Sequence, residues 1–271
     1  MTKIRGTDTC FSDFMKGIVV NMNVHQVTSI AIRAGKILLT SGAEIYRVEV
    51  TINRICNAYN IRCDSFVLPT GIFITAYEDS GEVTTLVKRI KERTIDLKKI
   101  ELVNSFSRSL KDSTPSDFVK AMELLNSIEQ DKGYPFWIRL VSASVTAFVF
   151  VLIFNGNIRE GIAAAIISSV IYSFKERVLQ IGIFPYLGFF ISGIIAGGMS
   201  LVITTLFEDL NIYKIIIGAI IILLPGMAMT NGIKDALYGD LTSSLNRISE
   251  AVFTVTAIGA GVALLLFMAL R

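Results

Sequence analysis

The chain has 271 residues, 52% hydrophobic and 18% charged, with a net charge of +3, and its mean hydropathy is +0.58. These values lie outside the range of an ordinary soluble globular domain and point to a membrane protein. The weak net charge, and the lack of a basic stripe interleaved with aromatics, exclude nucleic acid as a partner.

Charge is unevenly spread: of 49 Asp, Glu, Lys and Arg residues, 34 precede Trp137 and 15 lie from Trp137 onward. A polar first half, 1–133, is therefore expected to be followed by an apolar second half, 134–271. Met1 to Asp13 carries Lys3, Arg5, Asp8 and Asp13 with no apolar core behind them, so no cleavable signal peptide is expected and the first half should stay in the cytoplasm. Cys10, Cys56 and Cys63 form an odd set without CxxC spacing, which suggests neither a disulfide framework nor a zinc site. They read as reduced or packing cysteines.

In chain order, Val27 to Leu39 carries apolar residues at helical spacing, and the pattern resumes after Ser41-Gly42 with Ile45, Val48, Ile52, Ile55 and Cys56. Ser41 and Glu44 have the spacing of a capping box for the second helix. Three short antiparallel strands follow, at Ile61 to Leu68, Gly71 to Tyr77 and Glu82 to Ile90, joined by Pro69-Thr70 and Asp79-Ser80-Gly81. Helices are predicted over Asp96 to Leu110 and Pro115 to Gln130, the latter capped by Ser113, Thr114 or Ser116 with Pro115 in its first turn. The first half is thus an α+β domain, helices plus a small antiparallel sheet.

The second half contains five apolar tracts: Trp137 to Phe154, Gly161 to Phe174, Phe184 to Phe207, Ile212 to Met229 and Ser249 to Leu270. Four have the length that crosses a hydrocarbon core of about 30 Å; the second is short, either a span or a re-entrant segment. With five spans, six Lys or Arg residues (Lys132, Arg139, Lys175, Arg177, Lys234, Arg247) lie inside and three (Arg159, Lys214, Arg271) outside. That asymmetry favours an all-α membrane domain of about five transmembrane helices, entered from the cytoplasm. Gly193-x-x-x-Gly197, flanked by Ser192 and Ala196, offers a smooth face for close helix packing.

No phosphate loop and no dinucleotide fingerprint is present, so no cofactor is expected and any transport is secondary or passive. The single histidine, His25, reads as a surface or packing residue, and neither a metal site nor a catalytic residue is expected. The polar group Ser41, Glu44, Arg47 and Glu49 has Glu44 and Arg47 one turn apart on one helix face; capping and an ion pair compete there with a ligand-binding role. Thr70 after Pro69 reads first as a turn residue. The break Leu224-Pro225-Gly226 is different, because proline lacks a donor and clashes with the carbonyl of Ile221. Unpaired backbone groups at membrane depth are tolerated where they are buried in protein or line a cavity. The stretch Pro225, Gly226, Thr230, Asn231 and Asp235 is then either a proline kink at a helix end or a substrate site of the broken-helix kind. Asp235, Asp240 and Glu250 are the candidates for ion coupling if they lie in the membrane, and interfacial residues if they do not.

Two segments, Ser41 to Val50 with Asp64 to Thr75, and Leu224-Pro-Gly-Met-Ala-Met-Thr-Asn-Gly-Ile-Lys-Asp235 with Gly239-Asp240, resemble the threonine/serine exporter family, in particular its YjjP-type members. The resemblance implies an inner-membrane secondary exporter of small polar metabolites, threonine- or serine-type amino acids or a dicarboxylate such as succinate. It also implies a partner, because the full-length form carries a second block of spans: a small YjjB-type membrane protein or self-association. A membrane-tethered enzyme, or a regulatory or scaffold subunit whose soluble domain carries the activity, is the rival reading.

Overall fold

Asn23 opens the first helix by accepting from the Gln26 backbone N–H while the Gln26 side chain reaches back to its own. A computed structural model describes the chain from this point over residues 22–78, 81–91, 93–110, 117–181 and 185–269. The chain falls into two units, Met1–Asp131 and Lys132–Arg271. Cys10 and the expected caps at Ser113, Thr114 and Ser116, with Pro115, lie outside the described residues.

In the first unit, α1 (Val24–Thr40) and α2 (Ile45–Ala58) are followed by β1 (Arg62–Leu68), β2 (Gly71–Tyr77) and β3 (Val83–Arg89), then α3 (Leu97–Ser109) and α4 (Phe118–Gln130). The sheet is antiparallel in the order β1-β2-β3, with Phe66 opposite Phe73 and Phe73 opposite Val87. Strand alternation sends Val67, Ile72, Ile74 and Ala76 inward, where they meet Ile30, Leu38, Ile52 and Ile55 from the first two helices. Close approach requires Gly35, whose position for a Cβ lies 3.0 Å from Ile52 Cδ1 and 3.2 Å from Ile72 Cδ1. Asp117 opens α4 by accepting from the Val119 N–H.

The expected capping box at the start of α2 is not formed. Ser41 is the C-cap of α1, followed by Gly42 at φ +87°. The Ala43 N–H returns to the Leu38 carbonyl and the Gly42 N–H to that of Leu39, a Schellman ending that needs the left-handed glycine. Glu44, without a side-chain cap bond, is the residue from which α2 starts.

The second unit is helical throughout its described residues: α5 (Phe136–Ile153), α6 (Ile158–Ile181), α7 (Pro185–Leu206), α8 (Ile212–Ile220) with a 3-10 turn at Ile221–Leu223, α9 (Gly226–Leu237) and α10 (Leu241–Ala269). Three helices, α5, α7 and α10, are long and apolar enough to cross a membrane, and a fourth crossing results if α8 and α9, bent by 60°, count as one. Of the about five spans expected, this criterion shows three to four. The second tract lies inside α6, which carries Arg159 and Glu160 at one end and Lys175, Glu176 and Arg177 at the other. It is a continuous helix of 24 residues. The fifth tract starts earlier than its apolar run, at Leu241, because Asp240 accepts from both the N–H and the hydroxyl of Ser243 and caps α10.

Small residues let these helices meet backbone to backbone. A Cβ on Gly193 would collide with the Ile258 carbonyl oxygen, and one on Gly261 with that of Phe190, so α7 and α10 lock through reciprocal glycines. Gly218 brings α8 against Val151 and Ala147 of α5 in the same way. The outward faces of the unit are apolar, with Val141, Val145, Ile162, Val202, Phe253 and Phe267 all exposed.

Candidate functional site

Asn211 starts the broken segment, its Oδ1 accepting from the Tyr213 and Lys214 N–H groups at 3.0 and 3.4 Å. The helix tightens to 3-10 geometry at Ile221–Leu223 and stops. Leu224 is forced extended (φ −65°, ψ 134°) by the proline that follows it. Pro225 (φ −81°, ψ 53°) then forms an inverse γ-turn, in which the Gly226 N–H donates to the Leu224 carbonyl at 2.9 Å. The next intrahelical bond runs from Met229 N–H to the Pro225 carbonyl. Pro225 supplies no side-chain cap, so the N–H groups of Met227 and Ala228 open α9 without one. A Cβ on Gly226 would have nothing within 4 Å, so the space beside this new helix start is open.

α9 buries one edge, Asn231, Gly232 and Asp235, and leaves Thr230 exposed. Gly232 lets α10 approach: a Cβ there would stand 2.9 Å from Ile248 Cγ1 and 3.4 Å from the Ser244 carbonyl. The hairpin closes through a second Schellman ending, with Gly239 at φ +89° and the Asp240 N–H on the Asp235 carbonyl at 2.9 Å. Inside the hairpin the Arg247 Nε lies 3.0 Å from the Asp235 Oδ2, with side-chain exposures of 6% and 0%. Asn231 sits one turn before Asp235 on the same buried edge and is 3% exposed.

The structure therefore brings Asn231 and Asp235 into one buried edge and places Pro225 and Gly226 at the open start of the same helix. Asp240 is a helix cap, and Glu250 is exposed on α10. The residue that sequence reasoning misses at this site is Arg247, which enters it only as one of the inner-side charges. The signal was present: Ser243, Ser244, Arg247, Ala251, Thr254, Ile258 and Gly261 make one buried stripe at helical spacing, and Arg247 falls on it.

A second missed residue is Glu160. It is 3% exposed, and its two oxygens accept from the Asn157 and Asn211 N–H groups at 2.7 and 2.8 Å. With the Glu160 N–H returning to Asn157 Oδ1 at 2.8 Å, Asn157-x-x-Glu160 is a true capping box that also anchors the start of α8. Arg159–Asp209 and the Lys214 Nζ on the Asn155 carbonyl reinforce this end.

The polar residues of the first unit go to separate tasks. Glu44 and Arg47 pair at 2.9 Å, as their spacing predicts. Glu49 Oε1 accepts from the Val67 N–H and ties α2 to β1. Ser41 is 2% exposed at the end of α1, and Thr70 is an exposed turn residue whose carbonyl accepts from Ile90. Cys56 and Cys63 are both free thiols; their mutual hydrogen bond, then burial, pushes the Cys56 thiol up, and the same hydrogen bond draws Cys63 down. His25 is exposed in the first turn of α1. Among the described residues, no group of three His, Cys, Asp or Glu is placed to hold a metal ion.

Two comparisons with known proteins give matches. The model of the family described as "Putative threonine/serine exporter" matches residues 29–269. A curated relative from Mycobacterium tuberculosis, named "Probable threonine/serine exporter", is 22% identical over 253 residues, which are 91% of this chain and 47% of the relative. The chain thus spans about half the length of the relative it matches. No solved structure matches the chain.

Proposed function

We propose a transport role on one premise: the chain belongs to the threonine/serine exporter family. In this reading it is a subunit of a secondary exporter of small polar metabolites that carry a carboxylate, threonine- or serine-type amino acids or a dicarboxylate such as succinate. The observation that carries the proposal is the break between α8 and α9 within an apolar unit. A helix start carries a partial positive charge and unpaired N–H groups, and both suit a carboxylate. The Met227 and Ala228 N–H groups would receive it beside the open space at Gly226, and carbonyls of the unwound turn before Pro225 would take an ammonium group. Thr230 and Asn231, one turn further on, add neutral donors and acceptors.

The Asp235–Arg247 pair gives this half-helix a fixed direction by clamping α9 to α10. It also makes Asp235 the preferred coupling residue, since a carboxylate whose partner is a buried guanidinium cannot change its charge or its partner without moving α9. Asp240 is committed to its cap, and Glu250 lies on an exposed face. We take α6 as a further crossing, because Gly161 to Phe174 is apolar and the helix, at about 36 Å, packs back along α5 after a short turn at Asn155. Five crossings with the first unit in the cytoplasm of a bacterial inner membrane then follow the positive-inside rule.

Counterflow in proteoliposomes tests the reading, with labelled threonine, serine and succinate, for the chain alone and together with a small YjjB-type membrane protein. Saturable uptake of one of the three, reduced at least tenfold in Asn231→Ala, is the expected result. No flux of any substrate in either preparation overturns it.

A further inference from the structure

The first unit holds a groove that the transport reading does not use. It lies between α2 and α3 as an open groove of about 640 Å³, lined by Val50, Asn53, Arg54, Asn57, Ala58, Ser107 and Arg108. That volume falls within the range of about 300–1,000 Å³ typical of small-molecule sites. The α2 residues recur at helical spacing, so one helix edge forms a wall of alternating apolar and amide groups. The other wall is the end of α3.

The chemistry of the lining is one-sided. Arg54 and Arg108 bring two permanent positive charges, and no carboxylate is among the described lining residues. Arg54 is held in place, its Nη1 donating to the Ser107 Oγ at 3.1 Å, and Ser107 is itself fully buried and bonded to the Asn104 carbonyl. Asn53 is likewise oriented, because its Oδ1 accepts from the Cys63 thiol at 3.2 Å, which turns the amide NH2 away as the available end. The groove thus presents the oriented Arg54 guanidinium and Asn53 amide, with the exposed Arg108, beside a short apolar wall of Val50 and Ala58. A guanidinium matches the two oxygens of a carboxylate in a planar fork. An ammonium group has no carboxylate to meet there and would face two like charges.

We propose that this groove binds a small organic dicarboxylate, at a site separate from the broken helix of the second unit. The two arginines take the carboxylates, Asn53 adds a neutral donor, and the Val50–Ala58 wall covers the short carbon chain. Zwitterionic amino acids are discriminated against because the described lining offers their ammonium group two like charges and no carboxylate. The site is independent of the export reading and would hold whether or not the chain transports the same anion.

The test is calorimetric titration of the full chain in nanodiscs with succinate, threonine and inorganic phosphate. Wild type should bind succinate saturably and at least tenfold more tightly than threonine or phosphate. Arg54→Gln and Arg108→Gln should each weaken succinate at least tenfold with unchanged melting. Arg62→Gln, an exposed arginine on the sheet, should leave binding unchanged, and the groove component should persist in Asn231→Ala, which removes only what the proposed transport path contributes. Absence of saturable succinate binding overturns the proposal, as does retention of wild-type affinity in both groove variants. Threonine or phosphate binding as tightly as succinate overturns the assigned chemistry, and loss in Asn231→Ala reassigns the signal to the transport path.

Discussion

The two units place charge in opposite ways. In the first, Arg33 and Lys36 of α1 pair with Glu129 of α4 at 2.5 and 2.6 Å, and all three side chains keep 26–32% of their surface exposed, around an interior of Ile30, Leu38, Ile52 and Ile74. In the second, Asp235 and Arg247 pair at 3.0 Å with 0% and 6% exposure, while valines and phenylalanines face outward. One unit follows the logic of water, with apolar residues inside and ions at the rim. The other inverts it, and an inverted unit is one that lipid surrounds. An ion pair in the first unit is a rim contact whose removal is tolerated. The buried Asp235–Arg247 pair of the second is costly to desolvate and justified where it fixes one arrangement of helices or changes between two.

This contrast can be broken by mutation. Arg247→Gln leaves a buried carboxylate uncompensated and should cost about 3–5 kcal/mol, read as a large drop in melting temperature in detergent or loss of folded protein. The double variant Asp235→Asn with Arg247→Gln should recover much of that loss, because neither charge is then stranded. A smaller effect is expected at the helix contact: Gly261→Ala, forced against the Phe190 carbonyl, should cost about 1–3 kcal/mol.

The rim pair should matter least. Burial works against ionisation of Glu129, but the Lys36 hydrogen bond and the charges of Arg33, Lys36 and Lys99 prevail and hold its carboxyl below the usual range. Its contribution is therefore present above the unfolded carboxylate pKa of about 4.3 and is lost as pH falls through the lower folded value. Glu129→Gln should cost about 1 kcal/mol or less at neutral pH, and thermal melts of wild type and variant should converge as pH falls through that lowered folded value. A cost there as large as at Arg247 would contradict the contrast between the units.

Periodicity made most of the fold legible. The strand limits differ by a residue at most from those read off the alternation, and the helices of the first unit follow their apolar stripes. The break at Pro225 was legible because proline removes a donor and restricts its predecessor whatever surrounds it. What failed was context. Ser41-x-x-Glu44 has capping-box spacing, but Gly42 had already been used to end α1, so the same residues serve the helix before and not the helix after. Asn157-x-x-Glu160, with the same logic, is real. Arg247 escaped because a charge in a polar stretch reads as a loop when hydropathy is averaged; its place on a stripe of small residues shows only when the helix is extended back to its cap at Asp240. The groove joins Arg54 and Arg108, more than 50 positions apart in sequence, and no local pattern announces it.

The central claim is that the break at Pro225, with Asn231 beside it, is the path for a small carboxylate. The most direct measurement is the initial rate of counterflow into proteoliposomes for wild type, Pro225→Ala and Asn231→Ala, at matched reconstitution and melting temperature. The account predicts at least a tenfold loss of rate in both variants while each remains folded. Full wild-type rates in both would contradict it.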